Sequence, residues 1–133
     1  MTSEKWRVLI VDDDLVILEL LTLRLGAQGY EIQTAIDGEK ALQAMPHFRP
    51  HLILCDIVMP KMDGPSLCRR LRAENNNIPF LFLTAKGQPR DKVEALSAGA
   101  DDYLVKPFDP KELSVRLTSI LRRHYPEAPR QSP

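Results

Sequence analysis

The sequence predicts an α/β fold, a doubly wound five-stranded parallel sheet with helices on both faces, and three observations predict it. Strand-like and helix-like segments alternate five times along 133 residues with short connections, the pattern of parallel strands joined by right-handed crossovers. Three of the strand-like segments are apolar almost throughout instead of alternating, as strands covered on both faces are. The length suits one core, not two, and 44% hydrophobic with 27% charged residues is a globular balance.

Each element can be justified in order. Arg7 to Val11 (R-V-L-I-V) is a short β-branched run that stops abruptly at Asp12, Asp13 and Asp14. Leu15 to about Ala27 has helical spacing, with Gly26 and Gly29 as candidate caps. Glu31 to Ala35 alternates like a strand near an edge, and Gly38 to Met45 reads as a short helix stopped before Pro46. Leu52 to Cys55 is a fully apolar strand ending at Asp56; Gly64 to Ala73 is helical, with Pro65 in its first turn. Phe80 to Leu83 is a third buried strand, Arg90 to Ala98 a helix followed by Gly99, and Tyr103 to Val105 a further strand. The last helix, Pro110 to Arg123, carries Leu113, Leu117, Ile120 and Leu121 on one stripe. Residues 1–123 are thus one domain, and 124–133, with three Pro among Arg, Gln and Ser, read as a linker-like tail.

Composition narrows the function classes. Eighteen basic and eighteen acidic residues leave no formal net charge, so this chain has no bulk attraction to nucleic acid or to anionic membrane. The stretch before Arg7 has no apolar segment behind its charges, and no run approaches the roughly 18 apolar residues of a membrane span. Cys55 and Cys68 match neither a disulfide framework nor a zinc site. A reducing cytoplasmic location is expected.

In a doubly wound sheet, ligands bind beyond the carboxyl ends of the strands. The residues just past the buried strands are Asp12 and Asp13, Asp56, Thr84 and Lys106. Singly, each has an ordinary role as helix cap, turn former or solvated charge. Together they do not, because one cap per helix leaves further carboxylates facing one another, which costs energy unless a cation joins them. Hard oxygen ligands of this kind suit Mg²⁺, with Mn²⁺ as a substitute. A Lys and a Thr hydroxyl opposite would suit phosphoryl oxygens, with an Asp as acceptor.

At this point the chain resembles the receiver domain of two-component response regulators, from Trp6 to about Arg123. The stretches that carry the likeness are V-L-I-V-D-D-D at 8–14, L-I-L-C-D-I-V-M-P-K-M-D-G at 52–64, F-L-T-A-K at 82–86 and A-G-A-D-D-Y-L-V-K-P-F at 98–108. The resemblance implies a flavodoxin-like (βα)5 sheet of strand order 2-1-3-4-5, and a phosphorylation-activated switch that is not a turnover enzyme. It implies Asp56 as phosphoacceptor for a sensor histidine kinase, a phosphotransfer protein or a small phosphodonor. Mg²⁺ would bind Asp13 directly, Asp12 through water, Asp56, and the backbone carbonyl of Val58. Thr84 and Lys106 would contact phosphoryl oxygens, Thr84 and Tyr103 would move on activation, and the Lys106-Pro107 bond would be cis. Asp14 is expected to cap a helix, and Gly64 to supply backbone freedom. Val58 and Lys86 stand where the family tunes hydrolysis, and an apolar Val58 favours a long-lived phosphoform.

Two surfaces follow. At about 100° per residue, Ile17, Leu18, Leu21 and Leu25 form one face of the first helix and Val16, Leu20 and Leu23 a second. The second face is either covered by neighbouring segments or is the kinase docking surface that the resemblance implies. The segment from Arg90 to Arg123 is similar to the winged-helix transcription-factor class, whose receivers form homodimers through the fourth helix, fifth strand and fifth helix. The matching positions are Lys92, Val93, Leu96, Asp101, Asp102, Glu112 and Arg116; Ser114 departs from the small apolar residue usual there. Such a chain would control transcription through an output domain after residue 133, or act alone through protein contacts.

Other functions fare worse. A phosphohydrolase resembling the haloacid dehalogenase family needs a second Asp where Val58 stands. A nucleotide-binding module wants Gly, Ser or Thr donors where three aspartates repel phosphate. The 11 Pro also find places: Pro60 and Pro107 flank the site, Pro65 and Pro110 start helices, and Pro126, Pro129 and Pro133 mark the tail.

Overall fold

Five strands, β1 (Arg7–Val11), β2 (Glu31–Ala35), β3 (Leu52–Asp56), β4 (Phe80–Thr84) and β5 (Asp102–Val105), form one parallel sheet of order β2-β1-β3-β4-β5. Between and after them run α1 (Leu15–Ala27), α2 (Gly38–Phe48), α3 (Gly64–Ala73), α4 (Pro89–Ser97) and α5 (Pro110–His124). The computed structural model describes residues 5–85 and 89–126, and only the backbone of 89–91. Lys86 and the tail residues 127–133, with Pro129 and Pro133, lie outside the described residues.

The uniformly apolar strands are explained by two cores, one on each face. In β1, Val8 and Ile10 join Leu18, Leu21 and Leu25 of α1 and Leu113, Leu117, Ile120 and Leu121 of α5. Leu9 and Val11 point the other way, into a cluster with Leu67, Cys68 and Leu71 of α3 and Ala95 of α4. Period-two geometry therefore demands an apolar residue at every position of a central strand. β2, at the edge, buries only Ala35 fully, which is why its sequence alternates.

Several local readings change. Gly26 lies inside α1, and the helix ends instead on Gly29, whose φ of 98° is the left-handed conformation that glycine adopts freely. Tyr30 N donates to Leu25 O and Gly29 N to Gly26 O, the paired bonds of a Schellman cap. α2 does not stop before Pro46. It runs to Phe48, because proline in the final turn forfeits one backbone bond while Phe48 is drawn into the core. The end is secured by Arg7, whose Nε donates to the carbonyls of Phe48 and Arg49 at 3.0 and 2.8 Å. The tail also begins later than residue 124. His124 completes α5, and Tyr125 packs beside Trp6 and donates its hydroxyl to His51 O at 2.8 Å.

Candidate functional site

All five strands point their carboxyl ends to one edge, so residues far apart in sequence meet there. Asp12 follows β1 and is 2% exposed; its Oδ1 accepts from Asp14 N at 2.9 Å and its Oδ2 from Lys106 Nζ at 3.0 Å. Asp13, beside it, is exposed. Asp14 is the N-cap of α1 and accepts from Val16 N and Ile17 N. Asp56 ends β3, with Oδ1 accepting from Ile57 N at 2.7 Å and Oδ2 lying 3.7 Å from Lys106 Nζ. Thr84 ends β4, buried, one residue beyond Leu83, the register partner of Asp56. Lys106 N donates to Thr84 O at 2.7 Å, which brings the residue after β5 back over the sheet edge. The Lys106-Pro107 peptide is cis.

The charge balance of this cluster is uneven. Asp12, Asp13 and Asp56 each offer a carboxylate oxygen, all within 4.8 Å of one another, and among the described residues the ammonium of Lys106 lies against them, 3.0 Å from Asp12 and 3.7 Å from Asp56. Burial raises the pKa of the Asp56 carboxyl; Lys106 opposes this, Asp12 adds to it, and the amides of Ile57 and Val58 oppose it. The net direction is upward because burial outweighs Lys106, whose pull is itself stronger than the push from Asp12. Three hard oxygen donors under mutual repulsion, open on the Asp13 side, fit a divalent ion of the Mg²⁺ type.

Val58, two residues after this carboxylate, is 52% exposed. Tyr103 is half-buried in β5, opposite Phe82 of β4, and packs on the core shared with α3 and α4. Sequence reasoning missed the amide N–H groups of Ile57 and Val58 as partners of Asp56, because a backbone donor leaves no trace in residue type.

Gly64 has a different role from the one expected. It is not at a positive φ among the described residues; it is required by close approach. A Cβ there would lie 2.3 Å from Asp56 O and 2.5 Å from Phe82 Cε1, while Gly64 N donates to Ile57 O at 2.9 Å.

The two predicted surfaces separate cleanly. Val16, Leu20 and Leu23 are 73%, 50% and 67% exposed, so no described neighbour covers the second face of α1. On the other side, Lys92, Val93 and Leu96 are exposed on α4, and Arg116 pairs with Asp102 and with Glu112, the latter at 3.3 Å. Asp101 does not join them. It turns to the opposite edge of the sheet, where it accepts from Phe80 N at 2.8 Å and contacts His124 at 2.7 Å and Arg72 at 3.8 Å.

Residues 8–118 match the family described as the response regulator receiver domain. The chain is 45% identical over 123 residues to the alkaline phosphatase synthesis transcriptional regulatory protein PhoP of Bacillus subtilis, covering 92% of this chain and 51% of that protein. It is 43% identical over 130 residues to the DNA-binding dual master transcriptional regulator RpaA of Synechocystis, covering 95% and 54%. It thus spans about half the length of the curated relatives it matches. Among solved structures, the receiver domain of the Francisella response regulator 1452 superposes with a TM-score of 0.85 at 35% identity, covering 90% of this chain and 99% of that one. The sheet order, the acidic edge and these matches agree, and the chain belongs to the response regulator receiver domain family.

Proposed function

We propose that this chain is a phosphorylation-activated switch in which Asp56 accepts a phosphoryl group from a sensor histidine kinase or a phosphotransfer protein. The observation that supports this most is the position of the Asp56 carboxylate, with Oδ2 3.7 Å from Lys106 Nζ and Asp12 and Asp13 within ligand reach of a shared cation. A carboxylate oxygen of Asp56 forms the new bond to phosphorus while the bond from phosphorus to the donor's imidazole nitrogen breaks, and the imidazole leaves neutral, keeping the proton already on its other ring nitrogen. Lys106 offsets charge on the transferred group, and the Thr84 hydroxyl accommodates its oxygens. Asp12, Asp13, Asp56 and the Val58 carbonyl would hold Mg²⁺, or Mn²⁺ in its place. When bound, this ion supplies Lewis-acid stabilisation of phosphoryl charge. No second carboxylate stands two residues after Asp56 to activate water, so the acyl phosphate is a stored signal and not a step of rapid turnover.

The acyl phosphate would shift Thr84 and Tyr103 and alter the surface of α4, β5 and α5, promoting homodimerisation. Lys92, Val93, Leu96, Asp102, Glu112 and Arg116 belong to that surface, and Asp101 supports it from behind through its bond to Phe80 N. Val16, Leu20 and Leu23 receive the kinase. The named roles of the relatives support control of transcription as the output, through a DNA-binding unit linked after α5, in the cytoplasm.

The decisive experiment is intact mass after incubation with Mg²⁺ and a small phosphodonor. Expected is one phosphate adduct that Asp56→Asn abolishes and that decays faster in Val58→Asn. An adduct that survives in Asp56→Asn, or none in the wild-type chain, overturns the assignment.

A further inference from the structure

The loop between β3 and α3, residues 57–63, brings the amides of Ile57 and Val58 to the Asp56 carboxyl. Its own shape must therefore be held from outside. One end is closed by Gly64 N donating to Ile57 O at 2.9 Å, and the middle is turned by Met62 N donating to Pro60 O at 2.8 Å. The remaining wall is the start of α2. A Cβ on Gly38 would fall 2.9 Å from Met62 Cβ, 3.0 Å from Met62 Cγ and 3.1 Å from Met62 O.

Two further features meet at the same wall. Lys61 has φ of 68°, a conformation that costs a lysine energy and persists only where its surroundings hold it. Its ammonium lies 3.9 Å from Asp37 Oδ2 and 3.8 Å from Glu39 Oε2. Asp37 is 3% exposed, and its other oxygen caps α2 by accepting from Lys40 N at 2.8 Å. The cap of α2 and the glycine that follows it thus meet the loop after Asp56 at two adjacent residues, Lys61 and Met62.

We infer that the β2–α2 corner, Asp37 and Gly38, is a positioning element for the Asp56 loop, setting divalent-cation affinity and phosphoryl acceptance through Met62 and Lys61 without touching either ligand. The inference rests on the phosphoacceptor reading above. A side chain at 38 pushes Met62 and, with it, the segment carrying the Ile57 and Val58 amides. Displacing groups that only orient a metal site costs about 10-fold or more in affinity or activity.

The test uses the whole chain, with Mg²⁺ binding by calorimetry and adduct formation by intact mass with a small phosphodonor. Gly38→Ala is expected to weaken Mg²⁺ binding and slow adduct formation by about 10-fold while still unfolding cooperatively. Gly26→Ala, at a position with nothing within 4 Å of the new Cβ, should match the wild type in both. Wild-type affinity and rate in Gly38→Ala overturn the inference. Lys61→Met supplies a second arm, and decides alone if Gly38→Ala does not fold. Coulomb's law by itself says that removing a cation from an acidic site tightens Mg²⁺ binding; loss of positioning says that it weakens, by about 2- to 3-fold, the scale of an exposed ion pair. Tighter or unchanged binding in Lys61→Met overturns the inference. If the wild-type chain binds no Mg²⁺ and forms no adduct, it is the phosphoacceptor reading that fails instead.

Discussion

Gly64 shows how far one missing methyl group reaches. With Asp56 O 2.3 Å and Phe82 Cε1 2.5 Å from where a Cβ would sit, neither a backbone carbonyl in a sheet nor a buried ring can yield cheaply. Gly64→Ala should therefore lose about 1–3 kcal/mol, the range for overpacked cores, measured by urea unfolding; a loss under a few tenths would refute the close-approach account. On the proposed function, Asp56 costs the fold stability in return for its role as acceptor. Its pKa is raised from the ordinary 3.8, first by burial, then by Asp12. A carboxyl whose folded pKa is raised contributes stability below its unfolded value and loses it as pH rises through the folded one. In Mg²⁺-free buffer, Asp56→Asn should therefore melt above the wild type at pH 7, with the gap closing as pH falls toward the ordinary aspartate range. A variant less stable than wild type at pH 7 would show that the Lys106 contact outweighs burial. The candidate site residues were legible in the sequence because each stands at the end of a recognisable strand. Gly64's role was not, since a glycine required by proximity and one required by φ look identical in one dimension.

At the scale of elements, α1 was read as having two apolar faces, and both are there for different reasons. Leu18, Leu21 and Leu25 fill the core, while Leu20 and Leu23 face outward. An exposed apolar stripe of this kind is a common mark of a partner surface. Replacing Leu20 by Glu should abolish phosphotransfer from a cognate kinase yet leave adduct formation from a small phosphodonor at the wild-type rate. Equal loss in both reactions would mean a folding defect, and no loss in either would move docking elsewhere. α2 teaches the converse lesson about local rules. Pro46 predicts a helix end, yet Phe48 and the Arg7 bonds to Phe48 O and Arg49 O carry the helix three residues further. Burial of one aromatic side chain outweighs one absent backbone bond, and that comparison needs a partner 41 residues away in the chain.

Across the whole molecule, the zero net charge conceals a polarised layout. One sheet edge gathers Asp12, Asp13 and Asp56 around Lys106, while the opposite edge is closed by Trp6, His51, His124 and Tyr125. The proposed switch would pass a signal from the first edge to an exposed side surface, for which α4, β5 and α5 offer the apolar Val93, Leu96, Val105 and Val115. Sedimentation should report a monomer before phosphorylation and a dimer after it, with Val93→Glu abolishing the shift but not the adduct. A dimer of unchanged strength in that variant would place the interface on another face.

The amino-acid sequence alone determined the order and type of all ten elements, the two-sided burial of the central strands and the acidic and basic residues at their ends. These are local quantities, set by periodicity and by the residue that follows each strand. Tertiary structure decided which of those residues meet and what holds them apart. Asp101 and Asp102 are neighbours in the chain, yet one braces β4 and the other pairs with Arg116, because Asp101 lies just before β5, beside the start of β4, while Asp102 is the first residue of the strand. The close approaches at Gly38 and Gly64 were decided there too, since they depend on distances between segments that no spacing along the chain records.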